Sequence, residues 1–118
     1  MRRASRWVAA GVTACALLGA GLAAAGRPSL AECFEASDFI ANAARARDAG
    51  MSAKTFLGRM EEDFEVIQSF PSDLRWFVHD ADDEAFLLAS AREVFAYPST
   101  PESHRQLFLQ SCVDRMAG

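Results

Sequence analysis

The sequence predicts an all-α fold, a compact bundle of four to five short helices with one disulfide joining Cys33 to Cys112. Three observations predict it. Apolar residues recur at helical spacing along residues 30–116, no alternating strand-type run of useful length appears, and helix-capping residues stand between the apolar stretches. The 118-residue chain reads as an export segment, residues 1–25, followed by a single helical domain, residues 26–118.

Arg2, Arg3 and Arg6 precede an uncharged run, Trp7 to Gly26, rich in Ala, Gly, Leu and Val, which is the pattern of a cleavable signal peptide. Small residues allow cleavage after Ala25 or after Ala31. The first site follows the apolar run directly and spares the helix cap at Ser29 and Glu32, so it is preferred. Retention of residues 7–26 as an inner-membrane anchor is the alternative. Val12-Thr13-Ala14-Cys15 resembles a lipobox with its longer apolar stretch on the wrong side, and Arg2-Arg3 lacks the surroundings of a twin-arginine signal. Cleavage after Ala25 removes Cys15 and leaves an even pair of cysteines. Export then places that pair where disulfides form and persist.

Ser29 and Glu32 have capping-box spacing, so a first helix should run from about Leu30 to Asp48 and stop at Gly50. Its inward stripe is Cys33, Ala36, Ile40, Ala43 and Arg47, with Phe39 alongside. Arg47 on that side predicts an internal ion pair with Asp48 or Asp63, or contact with a ligand carboxylate. Ser52 should cap a second helix whose Phe56, Met60, Phe64 and Ile67 form an apolar face widened by Leu57 and Phe70. Pro71 ends it.

A short helix is expected from Asp73 to about His79, then a bend, then a longer helix from about Asp83 to Ala96. Leu88, Ala91 and Phe95 make the core stripe of the longer one, with Leu87 and Val94 beside it. Ser99, Thr100, Pro101 and Glu102 open a last helix, Pro101 to about Met116, with Leu107, Phe108, Cys112 and Met116 inward. In an even-numbered up-and-down bundle the start of the first helix and the end of the last are neighbours, as a Cys33 to Cys112 bridge requires. On the chain-entropy account, closing that loop stabilises the fold by roughly 4.5 kcal/mol.

Residues 26–118 hold nine basic and sixteen acidic side chains, a net charge of −7. Such a surface repels nucleic acid and anionic lipid, so neither is an expected partner; membrane association is expected only if the N-terminal segment stays uncleaved. The densest set of ligand-type side chains is His79, Asp80, Asp82, Asp83 and Glu84. They could hold a hard cation, although Ala85 and Ala91 stand where a calcium loop needs glycine and glutamate. Capping of a helix start uses the same acids. Arg75, Trp76 and Phe77 set two aromatics beside a cation, as core and lid or as an interface anchor. No nucleophile motif, CxxC pair or haem-attachment motif occurs, so no catalytic residue and no cofactor are expected.

From Cys33 through Arg45 to Gly50, the amphipathic second helix, and the stretch from Tyr97 to Cys112, the chain resembles uncharacterised small exported proteins of Gram-negative bacteria. Those proteins pair an early cysteine, an Arg-Asp-x-Gly turn and a late cysteine after a proline-capped final helix. The resemblance implies periplasmic or secreted location, an all-α fold and the disulfide, and no activity. In size, helicity and single disulfide the chain is also similar to acid-stress chaperones of the bacterial periplasm. The leading expectation is a non-enzymatic protein that binds another protein or peptide, in envelope maintenance or as a chaperone-like factor. The alternative is a small-ligand or metal-binding module using the bend from Asp80 to Glu84.

Overall fold

Serine at position 29 closes the predicted capping box. Its hydroxyl accepts the Glu32 amide at 3.1 Å, and the Glu32 carboxylate accepts the Ser29 amide at 2.9 Å. This starts α1, Leu30–Asp48, in a computed structural model that describes residues 28–118. The expected signal segment, its apolar run and Cys15 lie outside the described residues. Gly50, at φ +103°, ends α1 in a conformation open to glycine at no steric cost. The Gly50 and Met51 amides return to the carbonyls of Arg47 and Ala46, which is a Schellman motif.

Ser52 caps α2, Ala53–Ile67, by accepting the Thr55 amide. A single 3-10 turn, η1, covers Ser72–Leu74. Helix α3, Ala81–Ala96, is capped by Asp80, and α4, Pro101–Ala117, by Thr100 with Pro101 in its first turn. Among the described residues there are four α-helices and no strand, and Cys33 and Cys112 are bridged with their Cα atoms 5.8 Å apart. The all-α disulfide-closed architecture is therefore as the sequence predicts.

Helix α1 is the central element and packs on both α3 and α4, while α2 packs on α3. Its start meets the end of α4 at the disulfide, and its end meets the residues before α4 through Arg47, so α1 and α4 run antiparallel. The buried face of α1 is mostly alanine, Ala36, Ala41, Ala43 and Ala44, around Cys33 and Ile40. Small side chains there let neighbouring helices come close. The larger payload is aromatic. A continuous chain of rings runs from Phe95 through Phe56, Phe39, Trp76 and Phe77 to Phe86 and Phe108, with centroids 5.2 to 6.2 Å apart. These are tilted and edge-on arrangements of the kind aromatic quadrupoles favour.

Four details differ from expectation. The short helix expected over 73–79 is only η1 followed by non-helical backbone, because Trp76 takes φ +57°, which no helix continues. The bend precedes Asp80 rather than Asp83, since the Asp80 carboxylate accepts the Asp83 amide and starts α3 two residues early. The α3 stripe is rotated: Leu87, Ala91 and Val94 are buried, and Leu88 and Phe95 sit at its edge. Leu107 is 62% exposed and Phe70 lies outside α2 at 49%, whereas His104 takes the inward place on α4.

Candidate functional site

Most residues singled out in the sequence gather in the connection between α2 and α3, residues 68–80, and the first turn of α3, but they do different jobs there. Arg75 is a staple: its guanidinium donates to the carbonyls of Phe70 at 2.7 Å and Gln68 at 3.1 Å, folding the chain back after α2. Phe77 is fully buried, touching the rings of Phe86 and Phe108, and so offers no surface to a partner. Trp76 is half-buried, with its indole Nε1 donating to Glu35 at 3.0 Å and its ring edge-on to Phe39. A bulky residue at positive φ is strained, and such strain persists only where surrounding contacts hold it. Here the Glu35 hydrogen bond and the aromatic chain hold it.

Behind this turn lies a buried polar cluster beside the disulfide. The Ser72 hydroxyl donates to the His79 carbonyl at 2.8 Å, and His79 Nδ1 lies 2.6 Å from the Ser72 carbonyl oxygen, so the two residues close the loop reciprocally. A carbonyl has no hydrogen to give, so Nδ1 is the donor. Nε2 lies 3.0 Å from both oxygens of Glu32, which belongs to the α1 capping box. That contact becomes a charge-assisted hydrogen bond when the pair holds one further proton. The His79 amide donates to Asp83 at 3.1 Å, and Asp83 meets Arg115 at 3.4 Å. Arg115 in turn lies over the Phe86 ring at 4.3 Å. Burial pushes the Asp83 carboxyl above its ordinary 3.8, Asp80 adds to the rise, and the His79 amide and Arg115 oppose it.

The acidic bend is thus divided among separate tasks. Asp80 caps α3, Asp82 is exposed, Asp83 is buried against Arg115, and Glu84 accepts Gln68. His79 and Asp83 come together through the backbone amide of the histidine, and Asp80 and Asp83 through the amide of Asp83. Among the described residues no three His, Cys, Asp or Glu side chains converge as metal ligands would. Arg47, offered by the sequence as an ion-pair or ligand-binding residue, pairs with Asp48 at 2.9 Å. It also donates to the carbonyls of Val94 at 2.7 Å and Ser99 at 2.6 Å. Its hydrogen bonds are therefore spent on the α3–α4 connection.

Sequence reasoning missed Glu32, Ser72 and Arg115 as partners of the His79 and Asp83 pair. Only the capping box marked Glu32, and nothing local connects it to a histidine 47 residues away. It also missed the exposed apolar stretch that flanks Trp76. Val66, Phe70 and Leu74 fall within nine residues, and Leu74 is 68% exposed. Fold and site together define a small disulfide-closed helical domain with an aromatic turn stapled across its helices. No family model, curated protein or solved structure matches the chain.

Proposed function

We propose that this is a non-enzymatic exported helical protein, periplasmic or secreted, that binds another protein or peptide in envelope maintenance or a chaperone-like role. Trp76 carries the reading: it is held at φ +57° between Glu35 and Phe39, beside exposed Phe70 and Leu74. Strained backbone and exposed apolar side chains in one turn are what a recognition surface needs, and neither benefits the isolated domain. The disulfide and the basic-then-apolar N-terminal sequence support export. Among the described residues no helix is long and apolar enough to cross a membrane.

The test is capture from periplasmic extract by the purified protein and by Leu74→Asp and Phe70→Ser. Both side chains are largely outside the core, so the variants should melt close to the parent. A partner enriched by the parent and lost from both variants supports the reading. No enrichment, or enrichment indifferent to both substitutions, refutes it.

A further inference from the structure

Helices α3 and α4 both pack on α1 but splay from one another, and between them lies a half-open cleft of about 290 Å³. This volume sits near the lower edge of small-ligand pockets, roughly 300–1,000 Å³. Ile40 of α1, Phe86 of α3, and Leu107 and Phe108 of α4 give it an apolar lining. The cleft is separate from the Trp76 turn, and the bond from His104 to the Tyr97 carbonyl lies in its wall.

Its polar lining is hydroxyls, an imidazole and one carboxylate. The Ser90 hydroxyl hydrogen is donated to the Phe86 carbonyl at 2.9 Å, so the oxygen keeps lone pairs for the cleft. His104 Nε2 faces the Tyr97 carbonyl at 2.9 Å and donates there. Glu93 brings a carboxylate to the rim, and no lysine or arginine lines the cleft. Arg115 lies on the Phe86 ring, but Asp83 holds it. An apolar slot whose one charged lining group is a carboxylate suits an apolar body with a cationic, hydrogen-donating head. It disfavours a carboxylate, whose head would meet Glu93 with like charge.

We propose that the α3–α4 cleft is a binding site for small cationic amphiphiles, with the alkyl or aryl body against Ile40, Phe86, Leu107 and Phe108 and the ammonium at Glu93. The site is independent of the Trp76 reading. Amide NMR titration of the purified protein with decylamine and, separately, with decanoate tests it. Decylamine should shift amides around Ser90, Glu93, Leu107 and Ser111 and bind roughly tenfold more tightly than decanoate. Glu93→Lys should reverse that order, and Leu107→Ser should weaken both probes roughly fivefold or more. Both substituted side chains are exposed, so folding is retained.

Equal affinity for the two probes, or an unchanged order in Glu93→Lys, overturns the cationic assignment. Shifts centred on Phe70 and Leu74, or no saturable shift with either probe, overturn the cleft itself. Concentration-dependent shifts of the same amides without probe mean that a second copy fills it, and equally sink the proposal.

Discussion

The two ends of the antiparallel α1–α4 pair are closed by different chemistry. At one end a disulfide, the His79 and Glu32 contact, and the buried Asp83 and Arg115 pair join α1, α3 and α4. At the other, Arg47 reaches from the last turn of α1 to the carbonyls of Val94 and Ser99, and His104 adds a bond to Tyr97. The first end has a covalent link that a reductant can cut and a buried carboxyl, Asp83, that burial holds above its ordinary range. The second rests on hydrogen bonds from Arg47 and His104 to backbone carbonyls. A domain built this way should loosen at the disulfide end first under reducing conditions.

The largest effect expected is from cutting the covalent link. Cys33→Ser with Cys112→Ser should lower the unfolding free energy by about 4 kcal/mol, since the bridge closes a loop spanning 79 positions. Urea denaturation of the two proteins reads this directly. A loss below about 1 kcal/mol would mean that the polar cluster alone holds that end. Next comes His79→Ala, which leaves Glu32 and the Ser72 carbonyl without their partner at a site where the ring is only 3% exposed. A cost of about 3 kcal/mol is expected, and a double-mutant cycle with Glu32→Gln should show coupling of at least about 1 kcal/mol.

Breaking the other end should cost less. Arg47→Met keeps most of the stem packing and removes the donors to Val94 and Ser99, for an expected loss of about 2 kcal/mol. Arg47→Lys should recover only part, because an ammonium cannot span the separated carbonyls as a guanidinium fork does.

These ends were unequally legible in the sequence. Ser29 with Glu32, Ser52, Gly50 and Thr100 with Pro101 mark helix limits by chemistry confined to a few residues, and the structure keeps each. The cysteine pair told which helix ends meet, because a covalent constraint crosses the whole chain. Trp76 was not legible as it stands: its positive φ is imposed by Glu35 and Phe39 on another helix, and local propensity argues for the helix that the turn replaces. The rotation of the α3 stripe has the same origin. Leu87 and Leu88 are equally apolar, and only where α1 lies decides which of them is buried. The His79 cluster was half legible, since the acids were visible and the distant partners were not.

Asp83 carries the smallest predicted effect and the most specific sign. Its carboxyl takes up a proton more readily in the native state than at its ordinary 3.8, because burial and Asp80 outweigh the help from the His79 amide and Arg115. A raised native value means that the folded protein binds the proton before the unfolded chain does. Stability relative to Asp83→Asn, which cannot titrate, should therefore rise as pH falls from neutral toward 3.8 and level off below it. Unfolding free energies of the two proteins at neutral pH and near pH 4 measure the difference. If wild type instead loses ground on acidification, the ion pair with Arg115 dominates burial, and the disulfide end is held by charge rather than merely tolerating it.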